Sequence, residues 1–143
     1  MNIVVCGIDE VSKYIELVDC AISIVDPDRH HIRPAELARL GEWVLELEFD
    51  DTWTEVAIPG DVFPDEDDIY AAIDFVEKCW QNNKEYLLIH CHQGISRSTA
   101  IAVCVYAYFG EPFPLERVLK ERYDARPNPL ILELAGDILK INF

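Results

Sequence analysis

The fourteen residues from Leu87 to Ala100, LLIHCHQGISRSTA, hold two histidines, a cysteine, a glycine, an arginine and three hydroxyls. A thiol followed six residues later by a guanidinium is a pairing that can do chemistry on an oxyanion. The guanidinium of Arg97 can grip two oxygens of a tetrahedral anion in bidentate fashion, with Cys91 beneath that anion and in line for attack on phosphorus. The five residues between them, His92, Gln93, Gly94, Ile95 and Ser96, would supply backbone amides as a cradle. Gly94 lets the loop turn with its backbone close to a ligand. Two other readings compete: a metal site on His90, Cys91 and His92, or an ordinary strand-to-helix turn.

The elements around the motif decide between them. EYLLIH is a continuous apolar run, suited to a strand covered on both faces. AIAVCVYAYF, Ala100 to Phe109, reads as a buried helix too short to span a bilayer. Cys91 would then sit at the C-terminal end of a central strand and against a helix N-terminus. Unpaired N–H groups there attract anions and favour a thiolate. In an open α/β sheet this edge is also where ligands sit. A bare Cys-x5-Arg match arises readily by accident in a chain with seven arginines. Strand, mid-loop glycine, hydroxyl and helix together make it specific, and no other cysteine has an arginine at that spacing.

The metal reading is poor. Successive side chains of an extended segment point to opposite faces, and no second cluster of Cys or His supplies further ligands. No metal site is expected. His30 and His31 fall in a polar loop and read as solvated.

The rest of the chain alternates strands and helices before helices accumulate. NIVVCG and CAISIVDP read as strands, the second stopped by Asp26-Pro27, with VSKYIELV a brief helical segment between them. DRHHIRPAELARLG is a polar loop with room for one helical turn. WVLELEF, Trp43 to Phe49, alternates as a strand with one wetter side. DDTWTEVAIPGDVFP is an irregular stretch of a length often given to function. A long helix begins near Pro64, with Ile69, Ala72, Ile73, Val76 and Trp80 at helical spacing. Two more helices open at Pro114 and Pro129. The expected fold is an α/β sandwich: one domain over 1–143, with a mostly parallel sheet of four to five strands flanked by helices.

Composition bounds the partners. The net charge is −15, with 27 acidic against 12 basic residues, which argues against nucleic acid or an anionic membrane as main partner. The N-terminus lacks the basic and apolar regions of a signal peptide. Five cysteines form no framework spacing, and a reducing cytoplasm is the simplest expectation.

HCHQGISRS resembles the His-Cys-x5-Arg-Ser/Thr signature of the cysteine-dependent protein tyrosine phosphatases, specifically their small dual-specificity-like branch. The resemblance extends to AISIVDP, LELEFDD and RPNPLILELAG and covers most of the chain, though only the signature is sharply specific. It implies that Cys91 is the nucleophile that forms a phosphocysteine, and that Arg97 binds the phosphoryl group and stabilises the transition state. Ser98 would aid departure of the thiolate and His90 would brace the loop from behind. The resemblance also implies that no metal or organic cofactor is used. Substrates would be phosphorylated proteins or peptides, or a small phosphomonoester. Phosphotyrosine comes first, with phosphoserine and phosphothreonine admitted if the site is shallow.

The resemblance also calls for an aspartate general acid on a mobile loop after the strand that precedes the long helix. DDTW matches that place, so Asp51 is the first choice and Asp50 the second. Asp61 is the third, and its interval to Cys91 is closer to the family's usual spacing, which makes TEVAIPGDVFP read as an insertion. Trp53 could cover the site, stack on an aryl ring or simply pack. Arg122 and Arg126 could add an anion contact, though a structural role is the plainer reading. Two alternatives stand beside the phosphatase. A rhodanese-type sulfurtransferase uses a similar cysteine loop with fewer residues, and a catalytically idle phosphobinding module commonly lacks the cysteine or arginine present here. Oligomeric state is not legible in the sequence.

Overall fold

The structure is a computed structural model, and it describes residues 1–53 and 59–143. Four strands form one sheet: β1 (Asn2–Gly7), β2 (Cys20–Val25), β3 (Val44–Glu48) and β4 (Tyr86–Cys91). They lie in the order β1-β4-β2-β3 and every pairing is parallel. The expected fold class holds, with four strands and no antiparallel member among the described residues. β4 is central, hydrogen-bonded on both sides, and its residues from Leu87 to Cys91 are all buried. This is what its unbroken apolar run requires. β3 is an edge strand, and Glu46 and Glu48 are its exposed residues.

The helices are α1 (Val11–Tyr14), α2 (Glu66–Gln81), α3 (Arg97–Tyr108), α4 (Pro114–Glu121) and α5 (Pro129–Leu139). Alternate residues of each strand point to opposite faces, so the sheet has two unlike sides. Ile22, Ile24, Leu87, Ile89 and Cys91 face the large core under α2, α3, α4 and α5. Ala21 and Leu88 face a smaller cluster with Val11, Ile15 and Leu37. The polar stretch after β2 is more ordered than a loop: two 3-10 turns, His30–Ile32 and Ala35–Leu40, with Leu37 buried beneath the second.

α2 begins at Glu66. Asp65 caps it, accepting from the Asp68 N–H at 3.1 Å while Asp68 accepts from the Asp65 N–H at 2.9 Å. Its buried stripe ends in Cys79, whereas Trp80 is 44% exposed and tilts onto Phe109. Pro114 and Pro129 occupy first-turn positions, where the missing N–H costs nothing. α3 differs from expectation where it matters most. It starts at Arg97 rather than Ala100, so Arg97 and Ser98 lie in its first turn, and it is buried from Arg97 through Ala107. No helix among the described residues is long and apolar enough to cross a membrane.

Candidate active site

Cys91 ends β4 and is 3% exposed. Its Sγ lies 3.1 Å from the Ser98 hydroxyl and 3.3 Å from the Gly94 N–H, which donates to it. The loop from His92 to Ser96 turns between the strand and α3, and each of its five carbonyls is held from outside. The His92 carbonyl accepts from the Ile8 N–H at 2.9 Å. Arg122 donates to the Gln93 carbonyl at 3.1 Å and to the Gly94 carbonyl at 2.6 Å. The Ile95 carbonyl accepts from the Arg126 N–H at 2.8 Å and the Thr99 hydroxyl at 2.6 Å. The Ser96 carbonyl accepts from the Asn128 N–H at 3.0 Å and the Ala100 N–H at 3.2 Å. In a trans peptide the C=O and the next N–H point opposite ways. Carbonyls pinned outward therefore turn the amides of residues 93 to 97 toward the sulfur side, forming an anion cradle.

Arg97 is 4% exposed. Its Nη1 donates to Asp26 Oδ1 at 2.7 Å and to the Phe49 carbonyl at 2.8 Å. That fixes one corner of the planar guanidinium and leaves the Nε–Nη2 edge for a ligand. Nε is buried without a protein partner among the described residues. A buried unpaired donor on a cation is costly unless something anionic meets it. Cys91, His92, Gln93, Ile95, Ser96 and Arg97 together line a cleft of about 410 Å³.

His90 is fully buried on the smaller face of the sheet. Its Nδ1 lies 3.1 Å from the Cys91 carbonyl and its Nε2 lies 2.6 Å from the Ser23 hydroxyl. Arg33 donates to that hydroxyl at 2.8 Å and to the Ser23 carbonyl at 2.6 Å. The Cys91 carbonyl can only accept, so Nδ1–H donates to it and, in a neutral ring, Nε2 accepts from the Ser23 hydroxyl. Burial is the main cause that pushes the imidazole pKa down to about 4, so the ring is neutral and this tautomer is the consistent one.

The three candidate acids all reach the same cleft, which Asp50, Asp51 and Asp61 line with Thr52 and the half-exposed Trp53. Asp50 is tied down: its Oδ2 accepts from the Val62 N–H at 2.8 Å, and its own N–H donates to the Val62 carbonyl at 2.8 Å. This clasp closes the neck of the 51–61 excursion and returns Asp61 to the side of Asp50. Asp50 and Asp61, eleven residues apart in the chain, therefore arrive together at the cleft. The expected insertion, TEVAIPGDVFP, overlaps this excursion and runs on to Pro64, and its residues 54–58 lie outside the described residues. Asp51 Oδ1 accepts from the Ser96 hydroxyl at 2.7 Å and from Asn128 Nδ2 at 3.0 Å. No described residue donates to Oδ2.

Four participants escaped the sequence reading: Ser23, Arg33, Asp26 and Asn128. Ser23 was visible as a lone hydroxyl inside an apolar strand. Asp26 read only as a turn signal, although it follows the C-terminal end of β2, the neighbour of β4. Arg122 serves the loop's carbonyls and pairs with Glu10 at 3.0 Å, a structural role rather than an anion contact. Among the described residues, no group of three or more His, Cys, Asp or Glu side chains is placed to hold a metal ion.

No protein-family model matches the sequence, and no curated protein matches it. Solved structures do. The Cydia pomonella PTP-2 phosphatase superposes with a TM-score of 0.72 at 20% identity, over 96% of this chain and 85% of that one. PTPMT1, solved in complex with PI(5)P, gives 0.70 at 15% identity, over 97% and 90%. The fold is that of the cysteine-dependent phosphatases. A human tyrosine phosphatase-like serine/threonine/tyrosine-interacting protein shares it as well, with a TM-score of 0.69 at 15% identity over 96% and 90%. At such identities the likeness is one of fold, and the chemistry of this chain has to be argued from its own residues.

Proposed function

We propose that this protein is a phosphatase that hydrolyses phosphotyrosine monoesters, and phosphoserine or phosphothreonine where they reach the cleft floor, through a phosphocysteine on Cys91. The observation that carries the reading is the meeting of Cys91 Sγ, an inward-turned amide cradle and the unpartnered Nε of Arg97 at one cleft. The amides and the Arg97 edge hold the phosphoryl oxygens and stabilise the charge that spreads over them in the transition state. Cys91 Sγ attacks phosphorus as the ester oxygen leaves, and Asp51 gives that oxygen its proton. Ser96 and Asn128 pin one carboxylate oxygen of Asp51, and the other carries the proton. Water then attacks the phosphocysteine, Asp51 takes its proton, and phosphate departs. The returning thiolate is received by the Ser98 hydroxyl and the Gly94 N–H. His90 holds the Cys91 carbonyl from behind and so orients the start of the loop.

Substrates of this reading are a phosphorylated protein or peptide, or a small phosphomonoester, in a reducing compartment such as the cytoplasm. None of the five buried cysteines is paired, which suits that setting. The test is phosphate release from a phosphopeptide panel by wild type, Cys91→Ser and Asp51→Asn. Cys91→Ser should release nothing measurable while still binding the peptide, and full activity there would sink the covalent route. Asp51→Asn should slow a poor-leaving-group ester by about 10²–10⁴ and an activated aryl phosphate far less. Equal losses on both, with the selective loss found in Asp61→Asn instead, would move the proton to Asp61. Thiosulfate with cyanide as substrates tests the sulfurtransferase alternative.

A further inference from the structure

Beside the cleft lies a second groove of about 470 Å³ that shares His92 with it. Its apolar surface comes from Ile8, Ile32 and Pro34, and its charges are Asp9 and Glu36 against a single Arg29. Asp9 and Glu36 are both exposed. Neither is engaged in an ion pair among the described residues, whereas the adjacent Glu10 is taken by Arg122. The cleft itself carries the carboxylates of Asp26, Asp50, Asp51 and Asp61, and Arg97 is the one Lys or Arg in its described lining. Arg97, buried with its Nε unpartnered, draws a single anionic group to the floor. The mouth then repels any further negative charge brought in with that group.

We infer that this groove is a specificity subsite that takes a lysine or arginine side chain next to the phosphorylated residue of a protein substrate. The aliphatic stem would lie along Ile8, Ile32 and Pro34 and the charged head would meet Asp9 and Glu36, the arrangement long cationic side chains adopt on an apolar surface edged by carboxylates. Arg29 lies on the same groove and opposes the head, so the preference is the excess of two carboxylates over one guanidinium. A polyphosphorylated lipid headgroup brings the opposite charge to both lobes and is disfavoured. The inference rests on the phosphatase reading and specifies its substrate class.

The experiment compares kcat/KM for two phosphotyrosine peptides, identical but for Lys/Arg or Asp/Glu flanking the phosphotyrosine. An unflanked aryl phosphate and a soluble polyphosphorylated inositol headgroup complete the set. The basic peptide should be preferred roughly ten-fold at low ionic strength, with the advantage shrinking as salt is raised. Asp9→Lys and Glu36→Lys should each cut that advantage roughly three-fold or more, and leave the aryl phosphate rate within about two-fold. Equal rates on the two peptides would overturn the subsite. So would a preference that survives both reversals, or faster turnover of the inositol headgroup. If wild type leaves even the aryl phosphate intact, the phosphatase reading falls and takes this inference with it. Turnover of the aryl phosphate without flank preference removes the subsite alone.

Discussion

Two loops meet over the same cleft and are held in opposite ways. In the phosphate loop each carbonyl from His92 to Ser96 has an outside donor, drawn from the segment after β1, from α3 and from the stretch between α4 and α5. The acid loop from Asp50 to Val62 is closed at its neck by the two-bond Asp50–Val62 clasp, and among its described residues Asp51 and the Thr52 carbonyl, which accepts from Asn128 Nδ2 at 2.8 Å, tie it to the rest of the site. The first must hold amides at fixed places, because a cradle works only if its dipoles need not reorganise as charge develops. Under the proposed mechanism the second delivers a proton and lets substrate in and out, which calls for fewer anchors.

The largest effect expected from this contrast is at Gly94, which sits at φ +73. A Cβ there would meet the Cys6 carbonyl carbon, the Gly7 nitrogen at 2.6 Å and Arg122 Nη2 at 2.8 Å. Two of these are backbone atoms and cannot swing away. Gly94→Ala should cost about 2–5 kcal/mol of stability, from overpacking and a left-handed backbone together. A loop displaced by about 1 Å would lose on the order of 100-fold in kcat/KM. Thermal unfolding and aryl phosphate kinetics check both. A variant with wild-type values would mean the phosphate loop is as adaptable as its neighbour.

The brace behind the loop is next, and it is sensitive to pH. Burial holds the pKa of His90 down to about 4 from an ordinary 6.5. Between those values the unfolded chain binds a proton that the folded chain refuses. The contribution is complete above about pH 6.5 and is lost as pH falls toward 4, a change of up to roughly 3 kcal/mol. Urea unfolding as a function of pH should show this slope, and His90→Asn should flatten it while lowering stability at neutral pH. An unchanged slope in the variant would mean that surface carboxylates, not the buried ring, govern the acid limb.

Arg122 carries the outer side of the same loop. Arg122→Met leaves the Gln93 and Gly94 carbonyls without their side-chain donor and should cost about 1–3 kcal/mol. Affinity for inorganic phosphate should fall with it, as the cradle loosens. Arg122→Lys keeps a charge for Glu10 but lacks the planar fork that reaches two carbonyls at once, so it should rescue stability only in part. Full rescue by lysine would reduce the brace to simple charge pairing.

How much of this was legible in the sequence follows the same division. Cys91, Gly94, Arg97 and Ser98 lie within eight residues, so their proximity is a property of the chain itself, and β4 and α3 could be read from unbroken apolar runs. Pro114 and Pro129 announced their helices because a first turn tolerates proline. Asp26, Ser23 and Arg33 could not be found that way. They reach the site through the lateral register of β2 against β4 and β3, and pairing between strands leaves no local mark. The acid stayed divided among three aspartates for a physical reason: the Asp50–Val62 clasp folds a linear interval back on itself. Sequence distance from Cys91 therefore stops measuring distance in space.

Gly60 supplies the smallest effect and the counterpart to Gly94. It too sits at positive φ, +93, but among the described residues a Cβ built on it meets nothing within 4 Å. Gly60→Ala therefore carries a backbone cost alone, about 1–2 kcal/mol if the loop is held rigidly at that conformation. The loop's firm described anchors are the Asp50–Val62 clasp, Asp51's contacts with Ser96 and Asn128, and the Thr52 carbonyl's bond from Asn128. Gly60 itself makes none of those bonds, so a shift of its φ toward negative values leaves them in place. The expected loss is then under about 1 kcal/mol. Activity should drop a few-fold at most, and only for poor-leaving-group esters, because a displaced acid matters only when the leaving oxygen needs its proton. Thermal unfolding, with kinetics on paired leaving groups, reads both numbers. A loss as large as that of Gly94→Ala, or one equal for both leaving groups, would show that the acid loop is as tightly determined as the phosphate loop, and the contrast between them would fail.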